Sequence, residues 1–177
     1  MLIDDPAYQL VSRAGGYLRA AQIIVDSGNS NPEIVAPTMQ LVAHGIEVLM
    51  KHVLIVAGYT VEMARKEYGH SLKRLWNAEE MADFRDISFE VAVDAWAVAA
   101  TSGKYRDKFS ENPRDLIRSS LEDLDRLHTS ESNYSLRYVS APDETAPAPM
   151  FLLDTFRPVE ERLRSRYLLS ERSRQYA

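Results

Sequence analysis

An all-α fold, an up-and-down bundle of four to five main helices plus short helices, is what this 177-residue sequence predicts. Three observations carry that expectation. Apolar residues recur at helical spacing through most of the chain. Cap-plus-proline pairs and isolated glycines punctuate it at helix-length intervals. The one segment that partly alternates like a strand, FEVAVDAWAVA from Phe89, is rich in alanine and has no visible strand partner. The length suits a single domain spanning 1–177 with a proper core.

Asp5-Pro6 reads as an N-cap followed by proline at the first helical position, and the first helix is expected to reach about Asp26. Its inward stripe is predicted as Leu10, Ala14, Tyr17, Leu18, Ala21 and Ile24. Gly15-Gly16 within it costs on the order of 1 kcal/mol per glycine relative to alanine, which points to a close helix approach or a kink. The cluster Ser27 to Asn31 is a turn, and Pro32 opens a second helix that continues to about Ala57 and stops at Gly58. Thr60 caps a short helix through Glu67, ended by Gly69.

A third main helix is expected from about His70-Ser71 to Asp83, with Leu72, Leu75, Trp76 and Met81 inward. Asp86 or Ser88 is then expected to cap a further helix from Phe89 to Thr101, so apolar that it should be buried or meet a partner chain. Residues 102–112 form a polar connection, and Asn112-Pro113 opens a helix carrying Leu116, Leu121, Leu124 and Leu127 and ending near His128. The run 133–139 is expected to be extended and 141–149 to be a proline-rich loop. The last helix starts near Met150, with Pro158 expected to kink or split it. Trp76 and Trp96 are assigned to the core.

Composition narrows function. The formal charge of -5 and a pI near 5.4 disfavour a generic nucleic-acid binder, because phosphate affinity draws on clustered lysine and arginine. Residues 157–174 are locally basic, and pairs such as Glu160–Arg164 make this a solvated helix face before a phosphate-contacting patch. The absence of cysteine excludes disulfides, thiolate zinc sites and cysteine nucleophiles, and it fits a cytoplasmic setting. No run approaches roughly 18 uninterrupted apolar residues, and the N-terminal stretch lacks a basic-then-apolar pattern, so neither a membrane span nor a secretory signal is expected. Neither a nucleophile elbow nor a glycine-rich phosphate loop is present in the sequence.

The chemistry-bearing residues gather in one region. His44, Glu47 and Lys51 lie at i, i+3 and i+7 on one helix face, and His70 begins the next main helix. Leu136-Arg137-Tyr138 precedes the proline loop. In order and spacing, His44-x2-Glu47-x3-Lys51, Gly58, the run from Tyr68 through Gly69-His70-Ser71 to Leu72, and Leu136-Arg137-Tyr138 resemble the HEPN helical bundle, the nucleotide-binding domain of higher eukaryotes and prokaryotes. The resemblance spans roughly residues 36–169 and is closest in the first half. Where the family has Asp after the histidine, this chain has Ser71, and either residue caps a helix.

The resemblance implies a homodimer with a nucleotide- or RNA-related role. Some members pair with nucleotidyltransferases, and others are metal-independent ribonucleases of toxin–antitoxin systems that carry an Arg-x4–6-His motif in a later helix. Arg65 and His70 have that spacing, but they fall at the first-half helix start and Lys66 replaces the usual small polar residue.

Three readings follow. In the first, a non-catalytic bundle without cofactor binds a nucleotide or RNA-related ligand, with Lys51 and Arg137 on phosphate, His44, Glu47 and His70 orienting the ligand or each other, and Tyr138 alongside; an antitoxin or nucleotidyltransferase is the expected partner. In the second, the chain is an endoribonuclease, His70 acting as general acid/base and Arg65 stabilising phosphorane charge. In the third, it is a structural module that buries the helix from Phe89 against a partner. A metal held by His44, Glu47 and His70 is not expected, since one His-x2-Glu is a weak signal and the second His-bearing copy of a di-iron bundle is absent.

Overall fold

The computed structural model describes residues 4–28, 31–104, 112–129, 136 and 147–175. Among these, all regular structure is helical: α1 (Pro6–Asp26), α2 (Val35–Val56), α3 (Val61–Tyr68), α4 (Leu72–Trp76), α5 (Ala82–Ser102), α6 (Pro113–His128) and α7 (Pro149–Gln175). The all-α expectation holds. α2 is the central helix. It packs along α1 and also meets α3, α4, α6 and α7, while α5 bridges α6 and α7.

Local chemistry fixes most helix ends. The Asp5 carboxylate accepts from Ala7 N at 2.8 Å, capping α1 ahead of Pro6. Its other oxygen accepts the Tyr167 hydroxyl of α7. Asn31 caps a 3-10 turn over Pro32–Ile34 that leads into α2. Thr60 caps α3 through Met63 N at 3.1 Å, and Asn112 caps α6 through Arg114 N at 2.9 Å. Gly58 and Gly69 carry φ of +102° and +58°, a left-handed backbone that stops α2 and α3.

The stripe of α1 is turned by about one residue from the expected one. Ala7, Val11, Ala14, Leu18 and Ala21 are buried, while Leu10, Tyr17 and Ile24 flank them half-buried. The close approach expected at Gly15 is present: a Cβ there would lie 2.7 Å from Glu160 Oε1 of α7, whereas at Gly16 it would meet nothing within 4 Å. A second close approach was not foreseen. A Cβ on Gly45 would sit 2.9 Å from Leu18 Cδ2, so α1 and α2 meet nearly backbone to side chain.

The segment after His70 departs from the expected single helix to Asp83. α4 ends at Trp76, a 3-10 turn covers Glu79–Met81, and α5 begins at Ala82 instead of Phe89. A side-chain contact across the intervening turn holds this arrangement. The Arg85 guanidinium donates to Trp76 O at 2.6 Å and Ala78 O at 2.9 Å, satisfying carbonyls at the end of α4 from the first turn of α5. Ser88 does not cap; it is buried inside α5 and donates to Phe84 O.

α5 is half sunk: Phe89, Val91, Ala92 and Ala99 are buried, while Val93 and Val98 are exposed. Trp76 is in the core and Trp96 is half-buried. On α6, Ile117 joins the four expected leucines in the core. α7 runs through Pro158 as one helix, so the expected split is absent, and it closes the core with Phe151, Leu152, Leu153, Phe156 and Val159. The expected Glu160–Arg164 pair forms at 3.3 Å, but Glu160 is buried beneath α1 and not on a solvated face. The expected extended run and proline loop, apart from Leu136 and residues 147–148, lie outside the described residues.

By length and composition alone, the helical stretch Pro32–Val56 could cross a membrane, yet 61% of its most apolar window is buried inside the bundle, as a central core helix must be.

Candidate functional site

Glu47 is the centre of the site. It lies in the middle of α2 among Met39, Val42, Ile46, Leu49 and Leu54, and its side chain is only 2% exposed. Such a carboxylate is tolerable only if every lone pair is used, and four side chains supply donors. Lys51, one turn on, donates to Oε1 at 2.6 Å. His44, one turn back, places Nδ1 3.4 Å from Oε2. His70 places Nδ1 3.1 Å from Oε1 and 3.2 Å from Oε2. His128, the last residue of α6, places Nε2 2.9 Å from Oε2.

The neighbouring elements hold these donors in place. Lys51 also donates to Gly69 O at 2.7 Å, tying the left-handed turn before His70 onto α2. Lys73 N at the start of α4 donates to the buried Asp125 carboxylate at 3.0 Å, which fixes the end of α6 beside α4 and thus His128 beside His70. The two rings are edge to face with centroids 6.0 Å apart, and Tyr17 of α1 packs edge-on to His44 at 4.6 Å.

A carboxylate has no proton to give, so each imidazole nitrogen meeting Glu47 is the N–H. In His44 and His70 the N–H that faces Glu47 is therefore on Nδ1, which turns the Nε2 edge away from the carboxylate, and their side chains are 32% and 52% exposed. His128 is the Nε2–H tautomer, fully buried, and its Nδ1 has no hydrogen-bond partner. Burial pushes the Glu47 carboxyl toward the neutral form, but hydrogen bonds from His128 and His44, with the charge and hydrogen bond of Lys51, outweigh it. They hold the group far below the usual carboxylate range.

Four of the expected site residues, His44, Glu47, Lys51 and His70, are thus brought together. Arg137 and Tyr138 lie outside the described residues. Arg65 is exposed on α3 and, among the described residues, makes no hydrogen bond or ion pair with the cluster. His128 was not foreseen as a member. Its signal was present, since Ile117, Leu121, Leu124 and His128 share one helical stripe, and a histidine in register with a buried stripe needs a polar partner inside.

Chemically, the cluster can present two carboxylate-oriented imidazoles to solvent, and its donor atoms can also face a common point. The ligand atoms of His44, Glu47 and His128 all lie within 4.8 Å of one another. No protein-family model, curated protein or solved structure matches this chain.

Proposed function

We propose that the chain is a HEPN-like bundle whose Glu47 cluster binds a phosphate-bearing nucleotide or RNA-related ligand without catalysis, in a cytoplasmic homodimer. The observation that carries this reading is the pair of half-exposed imidazoles, His44 and His70, both oriented by one buried carboxylate. Lys51 neutralises Glu47 from within, so the outward imidazole edges do not face a net negative centre. Imidazoles that are ordered in the free protein lose little rotamer entropy on meeting a ligand.

The reading is tested by a thermal-shift panel of ATP, AMP and short RNA. A ligand at about 100 times its Kd adds about 2.7 kcal/mol of stability. His70→Ala removes one of the four donors to Glu47 and should abolish the shift, read against the variant's own unliganded melting temperature. No shift across the panel refutes the reading.

The endoribonuclease alternative draws support from one observation, the His70–Glu47 pair, which has the base-plus-orienting-carboxylate form of acid/base sites. Exposed Val93 and Val98 on α5 offer an apolar face for the homodimer, or for an antitoxin or nucleotidyltransferase partner.

A further inference from the structure

We propose that His44 Nδ1, Glu47 Oε2 and His128 Nε2 form a site for a single zinc-class divalent ion, with a fourth position open toward solvent. The inference uses residues of the ligand cluster but goes beyond the nucleotide reading, because the ion binds or fails to bind whether or not a nucleotide does.

Spacing is the first argument. Oε2 of Glu47 lies 2.9 Å from His128 Nε2 and 3.4 Å from His44 Nδ1. Around an ion with bonds of about 2.0–2.2 Å, tetrahedral geometry puts donors about 3.3–3.5 Å apart. Both of these pairs stand close to that separation, and the ligand atoms of all three residues lie within 4.8 Å of one another, so an ion enters by side-chain adjustment alone.

The division of labour between the carboxylate oxygens is the second. Oε2 faces the imidazoles of His44 and His128, Oε1 holds Lys51 at 2.6 Å, and His70 Nδ1 straddles both oxygens at 3.1 and 3.2 Å, so that it can stay on Oε1 when an ion takes Oε2. An ion on Oε2 leaves the lysine bond intact, and Lys51 becomes the outer partner that orients the ligating carboxylate.

The donor set is the third. Two imidazoles and one carboxylate suit zinc, cobalt or nickel, and they lack the oxygens that calcium or magnesium requires. A two-histidine, one-glutamate set with an open position is the form of catalytic rather than structural zinc. The members of the cluster that reach solvent are His44 and His70, at 32% and 52% exposed, so the ion's route in is on their side. Binding moves the His44 proton from Nδ1 to Nε2, where water can accept it. The His128 proton moves to Nδ1, so the bond to the ion replaces the Nε2–H bond to Glu47 and the unpartnered buried Nδ1 changes from acceptor to donor.

The test uses tag-free full-length protein stripped with chelator and titrated with Zn2+ by calorimetry and with Co2+ by visible absorption, no nucleotide present. One ion per chain is expected, with the intense absorption of low-coordinate cobalt. His44→Gln, at a part-exposed position that leaves the fold intact, should weaken affinity by about tenfold to a hundredfold or more. His128→Gln should do the same, and if it fails to fold, His44→Gln alone decides. Absence of stoichiometric uptake, or wild-type affinity in His44→Gln, overturns the site. Nucleotide shifts measured in the chelator-stripped protein separate this result from the fate of the ligand reading.

Discussion

Replacing Glu47 with leucine removes the common acceptor of four donors while nearly conserving volume. Lys51, whose side chain is 14% exposed, then keeps only the Gly69 carbonyl as a partner. Breaking a buried ion pair by removing one member costs about 3–5 kcal/mol, and the partial exposure of Lys51 places its share near the low end, about 3 kcal/mol. The fully buried His128 loses its only acceptor, which adds about 1–3 kcal/mol. The new leucine side chain regains about 1 kcal/mol of apolar burial. The net loss is about 3–5 kcal/mol, a large share of the roughly 5–15 kcal/mol that holds a typical domain together.

For a domain of this size that loss lowers the melting temperature by roughly 6–20 °C. Urea melts followed by circular dichroism measure it. The double variant Glu47→Leu with Lys51→Met should recover about 2–3 kcal/mol, because the stranded charge is gone, while the cost at His128 remains. A loss below about 1 kcal/mol in the single variant, or no recovery in the double, would refute the account of a network organised around one carboxylate.

Two further predictions concern packing and pH. Gly16→Ala should stabilise by about 0.5–1 kcal/mol, since nothing lies within 4 Å of the new Cβ and the helix gains propensity. Gly45→Ala should destabilise by about 1–2 kcal/mol, because displacing the fully buried Leu18 outweighs the same propensity gain; equal melting curves for the two variants would contradict the close approach of α1 and α2. Burial raises the Glu160 carboxyl above its ordinary range, against the pull of Arg164 and Arg19. A carboxyl raised in the folded state favours folding below its unfolded pKa of about 4.3, and that favour is lost as pH rises through the folded value. Glu160→Gln should therefore melt at a higher temperature relative to the parent at pH 7 than at pH 4, and an advantage that grows toward acid would reverse the sign.

Elements whose ends are set by local chemistry were legible in the sequence. Asp5-Pro6, Thr60 and Asn112-Pro113 act within a few residues of themselves, and the helices they open begin where expected. The boundary between α4 and α5 was not legible, because it is drawn by Arg85 reaching back to Trp76 and Ala78 across a turn. Asp86 and Ser88 look like caps in isolation, and only the buried setting of Ser88 shows it to be interior. The same division runs through the site. His44, Glu47 and Lys51 share a face by helical arithmetic, and His70 follows one short helix later. His128 lies 81 residues along the chain from Glu47, and the fold alone joins them.

The carboxylate of Asp5 serves both ends of the bundle, capping α1 with one oxygen and receiving Tyr167 of α7 with the other. During synthesis these partners are made far apart in time. A nascent chain that stops short of α7 lacks Phe151, Leu152, Phe156 and Val159 and leaves an apolar trough along α1 and α5 open to chaperones. α1 waits, half-anchored, until α7 is made and packs against it.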